Sequence, residues 1–270
     1  MSAVVPRTVV VPLDGSDLAA RALPVGVELA SGLGADVLLM TTTQTRRADR
    51  MVRPVWLDEA AASVTGPGVA TCFVDEHPAD AAIRSVAAEA SDAAICMATH
   101  GRGALGTAIL GSVARDVVRT VSCPVVLVGP HAGDRSGLDR PMIVCHDGSD
   151  AAGAIVPIAG EWARALGLPV VVVHVFHPLD LESARAPAAT VEPAVEALRR
   201  SVDDVDLRVF RDSFPVGVIL DLARSLPASL VALSTHGRTG LARVTLGSVA
   251  ASLVHAGPTP VLLTRPAHLR

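Results

Sequence analysis

The sequence predicts an α/β protein built as two tandem open domains, each a five-stranded parallel sheet with helices on both faces, and three observations carry that reading. Segments of the first half return in the same order in the second half. Short aliphatic runs alternate with longer Ala-rich stretches at helical spacing, the pattern of a parallel sheet buried on both faces. The length of 270 residues suits two modest domains better than one.

The repeat is the strongest of the three. Val9 to Asp17, VVVPLDGSD, is echoed by Met142 to Asp150, MIVCHDGSD, at an offset of 133. Thr99 to Ala114, THGRGALGTAILGSVA, returns as Thr235 to Ala250, THGRTGLARVTLGSVA, at an offset of 136 with ten of sixteen positions identical. Cys123-Pro124-Val125 returns as Thr259-Pro260-Val261 at the same offset, so the copies keep register to their ends. Polar, Gly-containing sequence from Gly129 to Arg140 separates them and reads as a linker. The expected domains are 1–132 and 141–270, joined by 133–140.

Within the first copy the apolar runs place strands at Thr8 to Val11, Asp36 to Met40, Val69 to Val74, Ala93 to Ala98 and Val125 to Val128. In the second copy they fall at Met142 to Cys145, Val170 to Val175, Asp206 to Arg211, Leu230 to Ser234 and Val261 to Thr264. Helices fill the gaps at Leu18 to Leu33, Pro78 to Ala90 and Ser112 to Thr120, and at Ala151 to Leu166, Val216 to Ser225 and Ser248 to Ala256. The region after the second strand, Thr43 to Gly68, carries Arg46, Arg47, Pro54 and Gly66 and reads as part loop, part helix.

Composition narrows the function. Half the residues are apolar but only 2% are aromatic, so the cores are aliphatic. A net charge of −4 offers no broad electrostatic footprint for nucleic acid or anionic lipid. No apolar run approaches the roughly 18 residues of a membrane span, and the start lacks the pattern of a secretory leader. The four cysteines stand singly, with no metal-ligand spacing, as expected of a reduced cytoplasmic protein without a metal site.

Open α/β sheets bind ligands at the carboxyl ends of strands where the strand order reverses. The loops that the copies keep best follow strands one and four: Asp14-Gly15-Ser16 and Asp147-Gly148-Ser149, and the two THGR stretches. Each strand-four loop ends in Leu-Gly-Ser-Val-Ala, opening a helix at Gly111-Ser112 and at Gly247-Ser248. Unpaired amides and the positive end of the dipole attract anions there, Ser112 and Ser248 add a hydroxyl, and Arg102 and Arg238 add charge. The bland reading is a helix N-cap alone. Asp14 and Asp147 likewise divide between a contact to ribose or base and capping of the first helix.

Other motifs fail on inspection. Gly101, Gly103 and Gly106 spell GxGxxG, but the second copy has Gly237, Thr239 and Ala242, and no suitably placed acidic residue follows. The GxxxxG frame is followed by Thr107 and Ala108, with no Walker lysine. His100 and His236 lie in the loops without a nucleophile elbow or a carboxylate pair, so no catalytic residue is assigned. His174 reads as a satisfied strand histidine, and Cys96 and Cys145 as small buried hydrophobes.

With these residues in place, the chain resembles the universal stress protein family, whose ATP-binding signature is G-x2-G-x9-G-[S/T]. The first copy matches as Ala98-x2-Gly101-x9-Gly111-Ser112 and the second as Ser234-x2-Gly237-x9-Gly247-Ser248, both lacking the first glycine. The resemblance implies the strand order 3-2-1-4-5 of the adenine nucleotide alpha hydrolase-like fold. It also implies ATP at both sites, with Mg²⁺ as the usual companion of a triphosphate. Asp14 and Asp147 would contact the adenosine, with Pro12 beside the base in the first copy and Cys145 in the second. Thr42 and Val175, just past strand two, would pair with adenine through the backbone. Met97, Thr99, His100 and Gly103, with Val113, would complete the first ribose-phosphate loop, and Leu233, Thr235 and Thr239, with Val249, the second. Pairing through the last strand would join the copies within the chain, and two chains would pair again as a homodimer. The leading reading is regulatory ATP binding in a stress response; a slow ATP hydrolase or phosphotransferase and a nucleotide-free interaction module are the rivals.

Overall fold

The computed structural model describes residues 5–43, 54–66, 68–75, 77–90, 92–100, 110–132, 137–179, 186–227, 229–235 and 246–266. In the first copy these form β1 (Thr8–Pro12), α1 (Asp17–Ala20), α2 (Ala22–Leu33), β2 (Asp36–Thr43), α3 (Val55–Ser63), β3 (Val69–Asp75), α4 (Ala79–Glu89), β4 (Ala93–Ala98), α5 (Ser112–Thr120) and β5 (Val125–Val128). The second copy has β6 (Met142–Cys145), a 3₁₀ turn (Ala152–Ile155), α6 (Val156–Leu166) and β7 (Val170–Phe176). It continues with α7 (Glu192–Arg199), β8 (Val205–Arg211), α8 (Pro215–Ser225), β9 (Leu230–Ser234), α9 (Ser248–Ala256) and β10 (Val261–Thr264).

The strands order as β3-β2-β1-β4-β5-β10-β9-β6-β7-β8, one ten-stranded sheet. Each half therefore shows 3-2-1-4-5, the order the resemblance implies. Pairing is parallel within each half, and β5 meets β10 antiparallel with Leu127 opposite Val261 and Val125 opposite Leu263. The copies thus join through their last strands inside one chain. Because that seam is antiparallel, the carboxyl ends of the first copy's strands lie at one edge of the sheet and those of the second copy at the other.

Alternation along the strands splits the aliphatic residues between two cores. Val9, Val11, Met142 and Val144 face one layer with Leu29, Trp162 and Leu198. Val10, Ile143, Val117 and Leu253 face the other. Each core contains residues of both copies. Residues on either side of 133–136 are held to the first copy: Arg21 donates to the carbonyls of Pro130 at 2.7 Å and Ala132 at 2.5 Å, and Leu138 N–H donates to Glu28 at 2.9 Å. Gly129, just past β5, lies against α9 so tightly that a Cβ there would overlap the Val254 carbonyl oxygen.

Three expectations change in detail. The first helix is not continuous from Leu18 but breaks at Arg21, where Ser16 caps a short turn and α2 begins anew. Its equivalent opens as 3₁₀ before α6, with Pro157 at the start of the α-helix proper, where a missing N–H costs least. The second strands run on to Thr43 and Phe176, because β3 and β8 pair with them that far. Thr42 therefore lies inside β2 rather than just past it, while Val175, the last residue of the expected strand, is the penultimate residue of β7. Of the region after β2 expected as part loop and part helix, residues 44–53 and 67 lie outside the described residues, and α3 supplies the helix at Val55–Ser63.

Candidate functional site

The first element of the site is the turn after the first strand of each copy. Asp14 accepts from Ser16 N–H at 2.9 Å and from Ser16 Oγ at 2.6 Å, and Ser16 Oγ in turn accepts from Ala19 N–H at 3.2 Å. Asp147 and Ser149 repeat this at 3.0 and 2.6 Å, with Ala152 N–H on Ser149 Oγ at 3.1 Å. The glycine between them is at φ +79° in the first copy and +85° in the second, a conformation that side chains disfavour. Capping is thus real: serine caps and the aspartate holds the serine.

The second element is the loop after β4 and β9. Thr99 N–H donates to Val128 O at 3.1 Å and Gly111 N–H returns to Thr99 O at 2.9 Å; Thr235 to Thr264 and Gly247 to Thr235, both at 2.9 Å, are the counterparts. A Cβ on Gly111 or Gly247 would stand 2.8 or 2.9 Å from the threonine carbonyl oxygen, which is why glycine closes both loops. The N-cap residues of α5 and α9 are Gly111 and Gly247, and among the described residues no side chain caps either helix. Their first amides therefore retain the character that draws anions. In the first copy Thr99 Oγ1 and His100 Nδ1 lie 3.0 Å apart.

In the second copy these elements enclose a cavity of about 350 Å³, within the range of about 300–1,000 Å³ typical of small-molecule sites. Its wall includes Cys145, Asp147, Val175, Leu233, Ser234, Thr235, Gly247, Ser248 and Val249, all expected from the sequence. Gly148 sits in the adjoining turn. Pro12, Asp14, Gly15, Thr42, Met97, Ala98, Thr99, Gly111, Ser112 and Val113 occupy the equivalent positions in the first copy, with Met97 buried and Thr42 Oγ1 donating to His77 O at 3.1 Å. Gly101, Arg102, Gly103, His236, Gly237, Arg238 and Thr239 lie outside the described residues.

Sequence reasoning missed His146, Ala152, Val173, Pro215, Ile219 and Ala250, which also line the cavity. Pro215 had a visible signal, since Pro78 stands at the equivalent helix start. His146 replaces Leu13. It is 8% exposed, and its Nδ1 accepts from Gly148 N–H at 3.0 Å. Burial lowers its pKa, the nearby His174 adds to that, and the Asp147 carboxylate opposes it. His174 is only half satisfied, a correction to the sequence reading: Nδ1 donates to His146 O at 2.9 Å while its buried Nε2 has no partner among the described residues. Ser234 Oγ is also buried, with no hydrogen-bond partner among the described residues. Burial pushes the Cys145 thiol up to about 12, and the Cys96 thiol is raised for the same reason, so both behave as small hydrophobes.

Among the described residues no cluster of His, Cys, Asp and Glu could hold a metal ion, and no helix is long and apolar enough to cross a membrane. The profile of the universal stress protein family matches residues 6–129 and again residues 140–265. The chain belongs to the universal stress protein family. Universal stress protein Rv2005c of Mycobacterium tuberculosis is 29% identical over 185 residues, which is 63% of this chain and 61% of that one. Universal stress protein Rv1996 of the same organism is 30% identical over 188 residues, 64% of this chain and 59% of that one. The match thus spans less than two thirds of these relatives. Among solved structures, a putative universal stress protein from Pseudomonas aeruginosa superposes with a TM-score of 0.72 at 18% identity, covering 98% of this chain and 95% of that one. A universal stress protein from Archaeoglobus fulgidus gives 0.70 at 17%, covering 97% and 99%. Such likenesses speak for the fold shared by these universal stress proteins.

Proposed function

We propose that this universal stress protein binds ATP at the strand-four loop of each of two domains, 1–132 and 141–270 joined by 133–140, and acts in stress regulation by binding rather than turnover. One observation carries the reading: in the second copy an uncapped helix start, a glycine-closed loop and the Asp147 turn converge on one apolar-walled cavity. The residues present suit the ligand. Amides of Ser248 and Val249 favour phosphate, the Ser234 hydroxyl has no hydrogen-bond partner among the described residues, and Val173, Val175 and Ile219 offer the apolar wall a purine requires. Gly101, Arg102, Gly103 and their counterparts Gly237, Arg238 and Thr239 belong to this proposed site by sequence.

Asp14 and Asp147 are engaged on their own serines, which supports a binding role over that of a free general base. Bound Mg²⁺ would neutralise phosphate charge. Pairing of two chains and a cytoplasmic location belong to the same reading.

Isothermal titration of ATP into the protein and into Gly101→Glu and Gly237→Glu variants tests it. Two sites are expected in the parent and one in each variant; equal heats in all three would sink the assignment. Mass spectrometry for co-purifying adenine nucleotide is an independent check.

A further inference from the structure

The two copies differ at one position that touches the turn carrying the site aspartate. Where the first copy has Leu13, the second has His146, whose imidazole is buried at the cavity wall and accepts the N–H of Gly148 at 3.0 Å. A backbone N–H can only donate, so this Nδ1 carries no proton and the ring is the neutral tautomer protonated at Nε2. Gly148 is the residue at φ +85° between Asp147 and Ser149. The imidazole therefore fixes the turn from which Asp147 holds Ser149 and the start of the 3₁₀ turn at Ala152.

We propose that His146 is a positioning residue of the second site: neutral, it holds the Asp147 turn in place, and protonated it releases that turn, so nucleotide binding there weakens in acid. The proposal rests on the nucleotide reading for its ligand, and on the Gly148 hydrogen bond for its mechanism. Protonation puts a hydrogen on Nδ1, which then confronts the Gly148 N–H instead of accepting it. One bond is lost and two donors face each other.

Among the described residues the charged and titratable groups around the ring are few. From its own turn Asp147 favours the imidazolium; from β7 His174 disfavours it, and the ring is buried, which disfavours it further. Cys145, the preceding residue, is a neutral thiol. From β9 the neighbouring Ser234 and Thr235, and from the 3₁₀ turn Ala152, bring no charge. Burial and His174 together outweigh the single carboxylate. His174 also donates to the carbonyl of His146 itself, so both ends of the residue are tied.

The test has two arms in the full chain. In the first, without nucleotide, the Gly148 amide is followed by NMR from about pH 8 to about pH 5 together with the His146 ring. The amide is expected to shift and lose exchange protection with the same midpoint as the ring, and His146→Asn, whose Oδ1 stands where Nδ1 was and does not titrate, is expected to flatten the amide curve. A Gly148 amide indifferent to the His146 titration overturns the proposal. In the second arm, ATP affinity is measured in an Asp14→Ala background, which isolates the second site, at about pH 5.5 and about pH 8. The ratio between the two is expected to be about tenfold in the parent and to collapse toward one in His146→Asn and His146→Leu. A ratio unchanged by either substitution also overturns it. Absence of ATP binding at every pH would instead remove the nucleotide reading and the acid effect on it, while the first arm still decides whether His146 holds the turn.

Discussion

Gly247 returns its N–H to the carbonyl of Thr235 at 2.9 Å, closing an eleven-residue excursion, and the same carbonyl stands where a Gly247 side chain would have to go. The first copy repeats both facts at Gly111 and Thr99. Alanine at either glycine must push the loop carbonyl away or give up the bond. Gly247→Ala and Gly111→Ala are each expected to lose about 1–3 kcal/mol in urea unfolding and to weaken ATP binding at their own site only. An unchanged unfolding midpoint would show that the loop closes without this contact.

The seam between copies makes a second prediction. Gly129 follows β5 directly and its missing Cβ would overlap the Val254 carbonyl oxygen of α9. Gly129→Val should therefore strain the β5–β10 junction and lower stability by the upper end of about 1–3 kcal/mol. Since both cores contain residues of both copies, unfolding followed by tryptophan fluorescence and by circular dichroism should remain coincident. Two separated transitions would show that the copies fold as independent units.

The strands were legible because a parallel sheet covered on both faces demands uninterrupted aliphatic runs, and Ala93–Ala98, Val125–Val128, Met142–Cys145, Leu230–Ser234 and Val261–Thr264 end where those runs end. Strand ends set by a neighbour were not: Thr42 stands between threonines beyond the apolar run, and only pairing with Val74 keeps it in the ladder, as pairing with Arg211 keeps Phe176. Nor does anything in Val125 to Val128 mark it as the seam, since its four residues resemble those of any inner strand. At the site, repetition exposed Asp147, Thr235 and Gly247, whereas Val173 and Ile219 are the same residue types as the core and become cavity wall only through three-dimensional placement. His146 was visible as a departure from Leu13, but its aim at Gly148 N–H belongs to the folded turn.

Ser234 stands where the first copy has Ala98, and its hydroxyl is buried with no hydrogen-bond partner among the described residues. A polar group in that state costs about 1–3 kcal/mol of desolvation. Ser234→Ala should therefore leave the ligand-free protein as stable as before, or more stable by about 1 kcal/mol, when melting is followed by calorimetry. A clear loss of stability would mean that the hydroxyl already has a partner in solution.

Cys145 lines the cavity, yet burial holds its thiol near 12, far from the thiolate that reacts. Cys96 is wholly buried and raised by the same cause, while Cys123, less enclosed, is pushed up to about 11. Labelling with a disulfide reagent at neutral pH should therefore be slow at Cys145 and Cys96 in the native protein and fast after unfolding in denaturant. Rapid native labelling of Cys145 would indicate that the cavity wall opens far more readily than its packing implies.

The depressed pKa of His146 also bears on global stability. Its folded value lies below the ordinary 6.5 because burial favours the neutral ring, so the unfolded chain takes up the proton first as pH falls. Where the unfolded state binds more protons, stability rises with pH and is lost on acidification. The contribution is thus complete above about 6.5 and declines below it, down to the folded pKa. Replacing the ring by Asn removes this proton linkage while leaving an acceptor for Gly148 N–H. Between about pH 7 and about pH 5, the wild type should lose more unfolding free energy than His146→Asn, measured by urea titration at each pH. An equal loss in the two proteins would place the acid sensitivity elsewhere and return His146 to the role of a buried ring with one hydrogen bond.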